Sequence, residues 1–105
     1  MVAMRRILDR GGDPPDAIFI ASDLMAQGAL AVLGAAGLRV PEDVAIIGYD
    51  DSPVATSVIP QLTTLRQPSF AQGEKMASTL VELLAGRHPQ RITILDTELV
   101  IRDSA

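Results

Sequence analysis

Three aspartates carry the chemistry that the sequence predicts most clearly. Asp50 and Asp51 follow the apolar run Val44–Ile47, and Asp23 closely follows a second apolar run, Ala17–Ala21. A continuous apolar run of this length is typical of a buried strand whose two faces are covered by helices. Ligands of open α/β sheets bind beyond the carboxyl ends of the strands. These carboxylates are therefore candidates for a general acid–base pair, a metal site, a phosphoryl acceptor or hydrogen-bond acceptors for a polar ligand.

The rest of the sequence argues against the first three roles. No nucleophile motif or phosphate-binding glycine motif occurs, and the single histidine, His88, lies in a predicted turn. A site with oxygen ligands needs several clustered carboxylates, and only Asp23 could be the third. A phosphoryl acceptor needs a lysine late in the sheet, whereas the single lysine, Lys75, lies within a predicted helix. We expect no catalytic residue, no metal and no cofactor, which leaves a ligand acceptor or an ordinary solvated loop.

Asp23 and Gln67 have two interpretations each, Asp23 as a helix cap or a ligand contact. Ser22 or Asp23 can be the N-cap of the helix that follows, and a cap is the commoner role of such an aspartate. Gln67 ends a predicted strand just before Pro68. It is either a solvated strand end or a hinge position that faces a cleft.

Composition limits the remaining function classes. The chain has 105 residues, 48% of them apolar, no cysteine and a net charge of −4. A disulfide or a thiolate is thus excluded, and scattered basic residues disfavour a nucleic-acid surface. No apolar run approaches the roughly 20 residues that cross a bilayer. We expect one small α/β unit with no membrane association.

Hydrophobic periodicity and breakers predict the elements that position these residues. Ser69 and Gln72 have the spacing of a capping box. Gly37 is placed to end a helix, with Leu38 as its apolar contact. The predicted elements are helix Met1–Asp9, strand Ala17–Ala21, helix Leu24–Ala36, strand Val44–Ile47, loop Ser52–Pro60, strand Leu62–Gln67, helix Phe70–Ala85 and one or two strands within Arg91–Arg102.

The helix Leu24–Ala36 contains no charged residue and is apolar nearly all the way round. One of its faces must cover the sheet, so we expect the other to meet another protein surface. The preceding and following strands make it a βαβ unit, whose two strands are parallel and whose crossover is right-handed. This connectivity places Asp23 and Asp50 at the same edge of one sheet.

Four motifs in a fixed order give the chain a family resemblance. They are S-D-x-x-A-x-G-A, G-L-x-V-P-x-D-V, G-Y-D-D and L-T-T-x-x-Q-P, and they fall between Ala17 and Pro68. The chain resembles the C-terminal part of the effector-binding domain of the lactose/galactose-repressor (LacI/GalR) family of bacterial transcription regulators. That resemblance implies an incomplete fragment of a three-layer, parallel-sheet fold of the type I periplasmic-binding-protein kind, with a small ligand in the cleft between two subdomains.

The resemblance also assigns roles to residues and segments. Residues 1–66 would belong to the C-terminal subdomain, and residues 67–95 would pack on the N-terminal subdomain. Residues 96–105 would form the strand that returns to the C-terminal subdomain. Asp50 would be the main acidic ligand contact, supported by Asp23, with Gln67 at the cleft edge and Ser22 where many members carry asparagine. The uncharged helix would be the dimerisation helix. Its interface residues would be Leu24, Gln27 and Ala31, joined by the loop residues Val54 and Val58.

The resemblance implies a cytoplasmic, non-enzymatic regulator that senses a sugar or a related small molecule, forms a homodimer and reaches operator DNA only through a helix-turn-helix. That motif is absent from this chain. We expect the chain alone to self-associate and to bind neither operator DNA nor sugar with useful affinity. The alternative is a fragment of a periplasmic sugar-binding protein of a transporter. An enzyme of the phosphoryl-transfer receiver type is a more distant alternative.

Overall fold

A computed structural model describes residues 2–105, and it divides the chain into two compact units. The first comprises the residues up to Arg66 together with Glu98–Ala105, and the second is Gln67–Thr97. Met1, the first residue of a predicted helix, lies outside the described residues. The elements are α1 (Val2–Leu8), β1 (Ala17–Phe19), α2 (Asp23–Ala35), β2 (Ala45–Asp50), α3 (Pro53–Ser57), β3 (Thr63–Arg66), α4 (Ser69–Leu84) and β4 (Glu98–Val100).

The first unit contains a four-stranded sheet in the order β1-β2-β3-β4. β1, β2 and β3 are parallel, whereas β4 runs antiparallel to β3. The predicted βαβ unit is therefore present. β2 continues three residues beyond its predicted end, as far as Asp50.

The core of this unit lies between the sheet and α2. Ile46 on β2 and Leu33 on α2 are fully buried. Because side chains alternate along a strand, Phe19, Ile47 and Tyr49 lie on the face of the sheet opposite α2. On that face Phe19 is 59% exposed, and its ring contacts the Tyr49 ring edge-to-face. The prediction that helices cover both faces of β2 thus holds for one face within the described part of this unit. The buried apolar residues are Met4, Ile20, Ala26, Ala29, Val32, Leu33, Val44, Ile46, Ala55 and Leu62.

Glycine ends α2 as predicted. Gly37 has φ +74°, its N–H donates to the Gly34 carbonyl, and the Leu38 N–H donates to the Leu33 carbonyl at 3.0 Å. These two bonds form a Schellman motif, which satisfies carbonyls that the helix leaves without partners. A left-handed φ favours glycine because it has no Cβ.

Two predicted elements need correction. The loop Ser52–Pro60 contains α3, because Pro53 at its first turn has a preset φ and no N–H to satisfy. Ser69 is the first residue of α4 rather than its cap, and Gln72 donates to the Gln67 side chain instead of closing a capping box. The prediction of one or two strands within Arg91–Arg102 is met by one short strand, β4, in which Glu98–Val100 pair with β3.

The second unit consists of α4 and the segment that follows it. No residue of α4 is buried, and its apolar side is open: Met76 is 72% and Leu84 is 80% exposed. The predicted inward-facing residues of this helix are therefore on the surface of the described unit.

Candidate functional site

The loops that follow β1 and β2 lie at one edge of the sheet, as the connectivity predicts. Phe19 pairs with Ile47 in parallel register, and Asp50 at the end of β2 pairs with Arg66 at the end of β3. Asp50 has φ +115° and Asp51 has φ +54°. Two consecutive non-glycine residues with positive φ are unusual, and such strained backbone is concentrated at functional sites. The turn after β2 is therefore the candidate site of this unit.

The two neighbouring carboxylates differ in their surroundings. The Asp51 side chain is only 10% exposed, and each of its oxygens accepts a hydrogen bond of 2.6 Å, one from Arg102 Nη2 and one from Arg66 Nε. Burial raises the pKa of the Asp51 carboxyl, but the hydrogen bonds and charges of Arg102 and Arg66 lower it by more, so this pKa lies below its ordinary value. Asp51 is thus held as a carboxylate with both oxygens engaged, which suits neither a general acid nor a ligand acceptor. Asp50 is half-buried in the same turn.

Asp23 lies beneath this turn and is fully buried. Its Oδ2 accepts a hydrogen bond from the Ser52 N–H at 2.7 Å, and its Oδ1 accepts one from Thr64 Oγ1 at 2.7 Å. Asp23 therefore ties the start of α2 to the turn after β2 and to the middle of β3. This position fits a residue that supports the turn, because its carboxylate does not reach the surface.

Gly48 makes room for the Asp23 carboxylate. A Cβ on Gly48 would collide with Asp23 Oδ1 and would lie 3.3 Å from Thr64 Oγ1. The glycine of the G-Y-D-D motif is therefore required by the close approach of a buried carboxylate to β2.

Ser22 is half-buried at the N-cap position of α2, where its backbone is extended and its hydroxyl makes no capping bond. Ser22 therefore occupies the predicted N-cap position, but without a side-chain capping bond. The Asp23 carboxylate is used across the sheet instead, and Asp23 is the first helical residue. Gln67 belongs to the second unit, where its Oε1 accepts a hydrogen bond of 3.2 Å from Gln72 Nε2.

The predicted interface residues of α2 form an exposed stripe. Leu24 is 67% exposed, and Gln27 and Ala31 follow it at helical spacing on the surface. Val54 and Val58, on and just after α3, are half-buried. Beside this stripe, α1, β1 and α2 enclose an apolar groove of about 920 Å³, lined by Met4, Ile7, Phe19, Leu24, Met25 and their neighbours.

The sequence did not indicate the residues that hold this site through hydrogen bonds to parts of the chain that are distant in sequence. Arg102 binds Asp51 and also donates to the Leu62 carbonyl at 2.8 Å, and Thr64 holds Asp23. Ser104 is fully buried, donates to the Ile46 carbonyl at 2.6 Å and accepts from the Thr63 N–H at 2.9 Å. These partners are about 40 to 60 residues apart in the chain, so no local pattern could have indicated them.

Residues 2–105 also lack two kinds of functional feature. They contain no group of three or more histidine, cysteine, aspartate or glutamate side chains arranged to hold a metal ion. Within the same residues, no helix is both long and apolar enough to cross a membrane.

Comparison with known proteins defines the class first. The model of the periplasmic binding protein-like domain matches residues 1–105, which is the whole chain. The fold also matches solved structures. The chain superposes with a TM-score of 0.90 and 48% identity on a structure of the transcriptional regulator CelR in complex with cellobiose, over 99% of this chain and 32% of that one. For the lac repressor dimer bound to operator and an anti-inducer, the TM-score is 0.88 and the identity 32%, over 98% of this chain and 31% of that one.

Curated relatives then define the family. The chain is 49% identical to the regulator CelR of Thermobifida fusca over 99% of its length, and 40% identical to the repressor CytR of Escherichia coli over 97%. It is 42% identical to the lactose operon repressor of Rhizobium radiobacter, covering 87% of this chain and 80% of that protein. The chain belongs to the LacI family of transcriptional regulators, and it spans about a third of the length of CelR and CytR. These relatives are regulators rather than enzymes.

Proposed function

We propose that this chain is the ligand-sensing and dimerisation portion of a LacI-type transcriptional regulator. The observation that carries the proposal is the strained turn at the carboxyl end of β2, where Asp50 lies beside an aspartate that is fully engaged by two arginines. A carboxylate whose position is fixed by the backbone turn at a sheet edge can accept hydrogen bonds from the hydroxyl groups of a sugar or a related small molecule.

The other two carboxylates have surroundings that suit supporting roles. Asp51 and Asp23 each have both oxygens occupied by partners within the first unit. Asp50 would bind the ligand, Asp23 would support the turn from below, and Ser22 would face the ligand from the end of β1. Gln67, which follows β3 in the chain, is proposed as a further ligand contact.

The exposed stripe of α2 supports homodimerisation. Leu24, Gln27 and Ala31 present an uncharged surface that borders an apolar groove, and an exposed apolar surface can be an interaction site. Ligand binding would favour one conformation of the regulator, and the dimer would transmit that preference to DNA-binding segments. Residues 1–66 and 96–105 would form part of the C-terminal subdomain and residues 67–95 would pack on the N-terminal one. Such a regulator acts on operator DNA, so it would work in the cytoplasm.

A chimeric regulator tests the role of Asp50. This chain replaces the matching segment of Thermobifida fusca CelR, with which it is 49% identical, and calorimetry measures binding of cellobiose, the sugar in the CelR complex. The chimera should bind cellobiose, and Asp50→Ala should weaken binding by about 100-fold, as expected when a charged hydrogen-bond acceptor is lost. Asp16→Asn is the control, because Asp16 is an exposed carboxylate before β1. Unchanged binding by the Asp50→Ala chimera would contradict the proposed role.

A further inference from the structure

The chain crosses between its two units at two adjacent points. It leaves the first unit after Arg66, the last residue of β3, and it returns at Glu98, the first residue of β4. Arg66 and Glu98 are directly paired in the antiparallel ladder. Arg66 Nη1 also lies 2.9 Å from Glu98 Oε2. Both crossings are therefore joined by backbone pairing and by an ion pair within the first unit.

Asp51 connects this pair of crossings to the candidate ligand site. The same Arg66 side chain that binds Glu98 donates from Nε to Asp51 Oδ2 at 2.6 Å. The other oxygen of Asp51 binds Arg102, whose N–H donates to Thr63 Oγ1 at 2.9 Å. A single carboxylate thus contacts one arginine from the outgoing strand and one from the segment after the returning strand.

The two contacts of Asp51 differ in strength. The Arg102 side chain is 15% exposed and that of Arg66 is 48% exposed. Solvent screens an ion pair near the interior less than it screens a more exposed one. The contact with Arg102 therefore fixes Asp51, and the contact with Arg66 links the turn to the crossings.

We propose that Asp51 is a positioning residue that makes the turn bearing Asp50 and the two crossings move as one element. Asp50 and Asp51 are consecutive, and both have positive φ, so a displacement of one backbone must displace the other. A ligand held by Asp50 would thereby bias the path of both crossing strands. This last step rests on the proposed function, whereas the mechanical coupling does not.

Two backbone amides report on the two ends of this connection. The Ser52 N–H, one residue after Asp51, donates to Asp23, and the Arg102 N–H donates to Thr63. The Leu38 N–H, bonded at 3.0 Å to the Leu33 carbonyl at the far end of α2, serves as the distant reference. Hydrogen exchange of these amides in the 105-residue chain, followed by NMR, distinguishes local opening from global unfolding.

The test compares Asp51→Asn with Asp43→Asn. Asp43 also forms a two-oxygen ion pair with an arginine, Arg39, but in the turn before β2. Asp51→Asn should accelerate exchange of both the Ser52 and the Arg102 amides by about tenfold, with the Leu38 amide changed by less than about threefold. Asp43→Asn should leave both reporters unchanged. Equal acceleration of all three amides, or of only one reporter, would overturn the proposal.

A second variant keeps the proposal testable if Asp51→Asn does not fold. Arg66→Met removes the exposed link and leaves the Asp51–Arg102 pair in place. Its backbone resonances should also shift at Ser52, beyond Asp50 and Glu98 that pair with Arg66 in the sheet, and shifts confined to Asp50 and Glu98 would refute the coupling. Ligand binding by Asp50 is tested separately from the coupling through Asp51. If Asp50→Ala leaves cellobiose binding of the chimera unchanged, the proposed function fails while the exchange result still decides the coupling.

Discussion

Replacing Gly48 by alanine should destabilise this chain far more than a single methyl group usually does. The added Cβ would collide with Asp23 Oδ1 and approach Thr64 Oγ1 at 3.3 Å. Both neighbours are fully buried and bonded to each other at 2.7 Å, and Asp23 is held a second time by the Ser52 N–H. The carboxylate therefore cannot move away without losing a hydrogen bond.

The expected cost follows from these contacts. Overpacking a well-packed site costs about 1–3 kcal/mol. Weakening one hydrogen bond to a charged group costs about 1.5–3 kcal/mol. Reduced flexibility of the unfolded chain offsets about 0.5–1 kcal/mol. We expect Gly48→Ala to lower the free energy of unfolding by about 2–5 kcal/mol.

Urea denaturation of the 105-residue chain, followed by circular dichroism, measures this change. Gly34→Ala is the matched control, since Gly34 lies in α2 and a Cβ there would meet nothing within 4 Å. That control should stabilise the chain by about 0.5–1 kcal/mol. Asp23→Ser, which shortens the obstructing side chain, should reduce the penalty of Gly48→Ala to below about 1 kcal/mol. A Gly48→Ala variant within about 1 kcal/mol of the parent, or an undiminished penalty with Asp23→Ser, would refute the steric argument.

Two further predictions concern acid and association. The side chain and backbone N–H of Arg39 lower the pKa of Asp43 to about 2 from its ordinary value of 3.8, so this pair stabilises the fold above pH 4 and ceases to do so as the pH falls towards 2. Asp43→Asn should therefore reduce the difference in urea midpoint between pH 5 and pH 2, and an unchanged difference would contradict this. The chain of 11.1 kDa should self-associate in size-exclusion chromatography with light scattering. Leu24→Lys should shift the chain towards monomer. The control Ile92→Lys, at a residue that is 78% exposed in the second unit, should not. A monodisperse parent monomer would exclude the interface on α2.

Several elements of the fold follow from local sequence alone. The apolar runs at residues 17–21 and 44–47 predict two strands, and the uncharged segment between them predicts α2. Gly37 ends that helix because a left-handed residue is needed there. The parallel order of the two strands follows from the length of the crossover, and it brings Ser22 and Asp50 to one edge. The family was also recognisable from four short motifs.

Local patterns failed where tertiary contacts compete with them. The spacing of Ser69 and Gln72 suits a capping box, yet Gln72 bonds Gln67. The alternating run before Asp96 suits a strand, but strand structure depends on a neighbour that sequence spacing does not identify. Asp23 has the residue type of a helix cap, but it is the first helical residue and its carboxylate accepts hydrogen bonds from Thr64 and Ser52.

The sequence by itself determined that carboxylates would gather at the end of β2. Only the tertiary structure decided which of them are bound by side chains from distant parts of the chain. Asp23 and Asp51 are engaged by Thr64, Arg66 and Arg102, which lie 15 to 51 residues away along the chain. Periodicity carries information over a few residues, because it reflects the repeat of one helix or strand. The charge and burial of a side chain depend on the whole folded surroundings, so the engagement of Asp51 by two arginines appears only when the distant strands are brought together.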